Sequence, residues 1–123
     1  MPILVVYGVP TEADPKSFQR KLNLFSDLMK KVVANIDELD LNEDQVTVFF
    51  PKDHMFQDME KEEIMIFVEG LFKKPERTAK VRRKLAVDLV GVTNRTFPDA
   101  NRIECLVKPF NPENGFCSGG LVG

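Results

Sequence analysis

The sequence has no tryptophan, one histidine, one tyrosine and two cysteines, and each shortage removes a class of chemistry. Cys105 and Cys117 are too few to frame a disulfide-stapled fold. His54, the sole histidine, sits in a polar connector with no cysteine at metal-ligand spacing, so no metal site is expected and His54 reads as a surface residue. No phosphate-binding glycine loop, dinucleotide signature, Ser/His/Asp arrangement or calcium loop occurs, and no organic cofactor is expected. No apolar run approaches the roughly 20 residues that span a bilayer, and the first residues carry neither a basic stretch nor a small-residue cleavage site. The expectation is a cytoplasmic protein that does not enter a membrane. A net charge of -2 provides no field for nucleic acid or an anionic lipid surface, so neither partner is expected.

What is present fits an ordinary globular chain. Hydrophobic residues make up 43% and charged residues 29% of 123 positions, enough for one domain over residues 1–123 with a core of its own. Ile3 to Gly8 reads as a short buried strand, closed by Gly8 and Pro10. Asp14 before Pro15 supplies a helix cap and a proline at the first helical position. Phe18, Leu22, Phe25, Met29, Val32, Val33 and Ile36 then recur at three- and four-residue steps, which predicts a helix to about Asn35. Gln45 to Phe50 predicts a second strand, stopped by Pro51. The charged stretch from Lys52 to Glu62 reads as a connector.

The pattern then restarts. Ile64 to Phe72 predicts a third strand, Pro75 opens a second helix with Val81, Leu85, Leu89 and Val92 on its apolar face, and Arg102 to Val107 predicts a fourth strand closed by Pro109. The tail from Asn111 to Gly123 is rich in glycine. Strand, helix and strand therefore occur twice, over about residues 1–53 and 63–110, with Tyr7-Gly8 and Glu69-Gly70 in matching places. The fold class implied is α+β: two tandem βαβ units forming a four-stranded sheet with both helices on one face. The other sheet face would be bare, so a further subunit is expected to cover it. A ferredoxin-like domain is the alternative arrangement of two βαβ units.

Pro2 is the sharpest chemical candidate. Removal of the initiator methionine tolerates a proline in second place, and it would leave a free secondary amine just ahead of the apolar strand. An α-amino group has a reference pKa of about 7.7 to 8.0, and burial lowers it, which suits a general base near neutral pH. A retained Met1 would instead leave an amide with no basic nitrogen. The competing reading is a common second residue beginning an edge strand. Glu104 interrupts an apolar strand and would act as an acid or hold a water if it lay in a cleft; otherwise it simply faces solvent. Tyr7, ending the first strand, would reach Pro2 only if strand register allowed.

Together these residues resemble the tautomerase superfamily, including chains of the macrophage migration inhibitory factor type that carry two βαβ units. Pro2 followed by an apolar strand is similar to the family's catalytic start. Pro75-Glu76-Arg77-Thr78-Ala79-Lys80 resembles a family segment at the head of a helix, which would make Arg77 the arginine that binds a substrate carboxylate. Asn114-Gly115-Phe116-Cys117-Ser118-Gly119-Gly120 looks like a family turn in which the residue matching Phe116 walls the proline. The resemblance implies a small keto or enol acid as substrate, with Pro2 and Arg77 catalytic, Phe116, Tyr7 and Glu104 lining the site, and a homotrimer. The second family arginine has no counterpart, since Thr47 and Glu104 stand in its place. Arg77 in its basic run reads equally as a solvated helix residue. A scaffold or binding protein that keeps the fold without catalysis is the alternative function.

Overall fold

The computed structural model describes residues 2–51 and 63–120. The Asp14 side chain accepts a hydrogen bond from the Lys16 amide at 3.2 Å, so helix α1 (Pro15–Ala34) starts where cap and proline place it. Its apolar stripe carries Phe25, Met29 and Val33 into the core. Ahead of it, strand β1 (Ile3–Tyr7) alternates, with Leu4 and Val6 buried and Tyr7 exposed on the other face. Strand β2 (Thr47–Phe49) returns parallel to β1, Ile3 opposite Thr47. It is shorter than Gln45–Phe50 because Gln45 is used elsewhere: its side chain accepts the Asn42 amide at 2.9 Å and caps a 3-10 turn over Glu43–Gln45.

The second unit runs β3 (Glu63–Phe72), α2 (Ala79–Thr96) and β4 (Arg102–Phe110). Helix α2 opens at Ala79 rather than at Pro75. The Thr78 hydroxyl accepts the Val81 amide at 3.3 Å, and the Arg77 amide donates to the Lys74 carbonyl at 3.0 Å, closing a separate turn over Pro75 and Glu76. Strand β4 continues through Pro109 to Phe110, which its place at the sheet edge permits, since a missing N–H there need not break a ladder.

The sheet order is β2-β1-β3-β4. Each unit's own strands are parallel neighbours, and the units meet where β1 runs antiparallel to β3, from Ile3 against Glu69 to Tyr7 against Met65. No strand is inserted within either unit, which excludes the split arrangement of a ferredoxin-like domain. Gly8 and Gly70, the matching positions of the repeat, have φ of 81° and 70°, a region that side chains disfavour. Gly70 falls where the β3–β4 register shifts between Val68 and Leu71.

Leu4, Val6, Ile64, Ile66 and Val68 meet the two helices on one sheet face, where Leu85, Leu89 and Val92 complete a single core. The Phe25 ring lies edge-on to Phe97 at 5.1 Å. The opposite face keeps apolar side chains at the surface: Tyr7 is 41%, Phe49 52% and Leu106 41% exposed, so none of the described residues covers them fully. Because the Phe25 ring is wholly buried, Phe25→Ala is expected to cost about 3–5 kcal/mol. Urea unfolding monitored by circular dichroism measures it, and a loss under about 1 kcal/mol would show that the site closes around the cavity.

Candidate functional site

One end of the sheet gathers three of the residues singled out in the sequence. Pro2 is buried, and its carbonyl accepts the Thr47 amide at 3.3 Å, which fixes the residue ahead of β1 against β2. Since Ile3 pairs with Glu69, the antiparallel register carries Pro2 toward Gly70 and the final residues of β3. Arg77 reaches back to that end: its Nη1 donates to the Phe72 carbonyl at 2.8 Å and its Nη2 to the Leu39 carbonyl at 2.6 Å. Phe116 lies over the same strand end, its ring 4.7 Å from that of Phe72 and nearly perpendicular to it.

Arg77 is neither a solvated helix residue nor a freely presented fork. It is 5% exposed, and both terminal nitrogens are engaged by backbone carbonyls, while Nε is buried without a partner. Burial pushes its pKa down from the ordinary arginine value, opposed by the charges of Asp40 and Glu76. Leu39 belongs to a short 3-10 turn after α1 and Phe72 ends β3, so one guanidinium ties the first βαβ unit to the second. The polar stretch around Leu39 gave little sign of this in sequence, although Leu39 is fully buried.

Tyr7 and Glu104 lie elsewhere. They share a row across the open face, each paired with Met65 of β3. At about 3.3 Å per residue, the length of β1 sets Tyr7 roughly 17 Å from Pro2. Within one subunit these two side chains do not join Pro2. Glu104 is near Arg102, 3.8 Å away and well exposed, while Tyr7 meets the Phe67 ring edge-on at 5.7 Å. His54 lies outside the described residues. Cys105 faces the helices, and burial pushes its thiol up to about 12, so it stays protonated and unreactive. Among the described residues, no group of His, Cys, Asp and Glu could hold a metal ion.

No family model matches the sequence, and no curated protein does either. Solved structures do. A macrophage migration inhibitory factor from Toxoplasma gondii superposes with a TM-score of 0.62 at 18% identity, over 95% of this chain and 96% of the other. N1, a member of the cis-3-chloroacrylic acid dehalogenase family, gives 0.66 at 15% identity over 98% and 83%. A fused 4-OT, a symmetric trimer, gives 0.68 at 10% identity over 97% and 94%. The fold is that of the tautomerase superfamily. In this fold, Pro2, Arg77 and Phe116 belong to one sheet end, and the open face lies on the side of the sheet away from the helices.

Two charge-assisted hydrogen bonds join the units through Arg77. Arg77→Met is therefore expected to lose about 2–4 kcal/mol of stability, and Arg77→Lys to recover only part of it, because one ammonium lacks the planar fork that serves two carbonyls. Parallel urea titrations of the three proteins measure both numbers.

Proposed function

We propose that the protein is a tautomerase-like enzyme in which Pro2, freed of Met1, removes a proton from the carbon beside a carbonyl and returns it elsewhere in the conjugated system. The substrate is a small keto or enol acid, and no metal takes part. The observation that carries this reading is the buried position of Pro2 at the sheet end that also holds Arg77 and the Phe116 ring. An amine there is shielded from water, which favours its neutral, basic form. Arg77 polarises the substrate electrostatically while its terminal nitrogens stay on the backbone, and Phe116 closes the apolar side.

The open sheet face supports a homotrimer, in line with the trimeric fused 4-OT of the same fold. In such an assembly Tyr7 and Glu104 reach a substrate only from a neighbouring subunit. A second reading, a scaffold of this fold without catalysis, is favoured by one observation: the Arg77 nitrogens that would grip a carboxylate already hold two carbonyls.

Two measurements decide between these readings. The expected rate of phenylenolpyruvate ketonisation falls by about 10²- to 10⁴-fold in Pro2→Ala, the usual contribution of a general base. Equal rates, or an intact mass that retains Met1, would make the protein a scaffold. Size-exclusion chromatography with light scattering is expected to give three times the 14.0 kDa chain mass, and a monomer would overturn the assembly.

A further inference from the structure

Three hydrogen bonds fix Arg77, and their partners come from unlike sources. Phe72, which accepts from Nη1, ends strand β3, and Arg82, whose own Nη1 donates to the Arg77 carbonyl at 2.7 Å, belongs to helix α2. Regular structure therefore places both of these partners. The third, the Leu39 carbonyl that accepts from Nη2, lies in a 3-10 turn of three residues, Asp37–Leu39. So short a turn has no ladder to hold its last carbonyl in one direction.

The next residue supplies that direction. Asp40 has φ 52° and ψ 52°, in the left-handed region, and it is the one non-glycine residue with positive φ among the described residues. A carbonyl turns with the planar peptide unit it shares with the following amide, so ψ at Leu39 and φ at Asp40 jointly aim the Leu39 oxygen. Both ends of this plane are engaged: the Asp40 amide donates to the Asp37 carbonyl at 3.0 Å, and the Leu39 carbonyl accepts from Arg77. A left-handed residue just past a helical turn is usually glycine or asparagine, and aspartate is among the few others that adopt it readily. The Asp40 side chain is exposed and forms no ion pair with Arg77. Its carboxylate acts on Arg77 through space, and an arginine stays protonated without such help. Arg77 therefore depends on the backbone conformation of Asp40, not on its charge.

We propose that Asp40 is a positioning residue: its left-handed backbone aims the Leu39 carbonyl at Arg77 and so fixes where the guanidinium stands at the Pro2 end of the sheet. Its effect on turnover rests on the reading of Arg77 as the group that polarises the substrate. The link from Asp40 to Arg77 stands apart from that reading.

A double-mutant cycle followed by urea unfolding tests the link. Asp40→Ala, in which the left-handed region is disfavoured, is expected to raise the unfolding equilibrium constant about fivefold or more in the wild-type background. In the Arg77→Met background the same change should raise it less than about twofold, because the turn no longer has to face a guanidinium and can relax. Equal losses in the two backgrounds would overturn the proposal, since the strain would then be local to the turn. If Arg77→Met does not fold, Arg77→Gln takes its place.

Phenylenolpyruvate turnover, measured where circular dichroism shows each variant folded, tests the consequence. Asp40→Ala is expected to lower kcat about tenfold while KM changes less than about twofold, the mark of a group misplaced in the transition state. Asp40→Gly and Asp40→Asn, which both accept the left-handed region, should restore kcat to within about twofold of the wild type. An Asp40→Asn loss as large as that of Asp40→Ala would overturn the proposal, because the carboxylate would then be the group at work. A wild type with no turnover would remove the enzyme reading alone, and the unfolding cycle would still decide the role of Asp40.

Discussion

The antiparallel contact between β1 and β3 is the constraint on which the rest of the molecule depends. Each βαβ unit has one apolar sheet face and one helix, too little to enclose a core. Joining the units through β1 and β3 places Leu4 and Val6 beside Ile66 and Val68, on the face that both helices cover. Side chains in a strand alternate with a period of two, so the same pairing necessarily places Val5, Tyr7 and Phe67 on the other face. The bare apolar surface and the buried core are two consequences of one register.

Arg77 secures that joint from a second direction. The β1–β3 ladder holds the units in the plane of the sheet, while the guanidinium links the turn after α1 to the end of β3. A buried arginine with no carboxylate within ion-pair distance among the described residues is costly unless its donors are satisfied. Two carbonyls meet most of that cost, and Asp40 and Glu76 act on the charge through space. The residue therefore serves the fold first, and any effect on a ligand comes from its field and from the position it gives to Arg82.

Much of this architecture was legible in the chain. The Asp14-Pro15 start, the stripe through Phe25 and Met29, and the paired Tyr7-Gly8 and Glu69-Gly70 steps follow from local rules that tertiary structure did not override. The start of α2 was misplaced because Pro75 fits a first helical position as well as it fits a turn, and only the Thr78 cap separates the two. Leu39 stood among acids, where no periodicity marks a single buried residue. The site was less legible than the fold for a similar reason. A run of basic residues looks like a wet helix face in one dimension, and whether Arg77 turns inward depends on carbonyls supplied by Leu39, which is 38 residues away.

The pseudo-symmetry also bears on why one end of the sheet concentrates the chemistry. A local two-fold through the β1–β3 pair relates the start of β1 to the start of β3, and the head of α2 to the head of α1. The two ends are therefore alike in backbone, yet only one carries a proline, Pro2, immediately ahead of its strand. The matching loop before α1 reads Thr11-Glu12-Ala13-Asp14, while that before α2 reads Pro75-Glu76-Arg77-Thr78, so the cations too lie on the side of Pro2. In a homo-oligomer of single βαβ units, both ends would carry the same groups. Having both units in one chain allows the ends to differ, with the basic, proline-bearing end free to specialise and the other held mainly by packing.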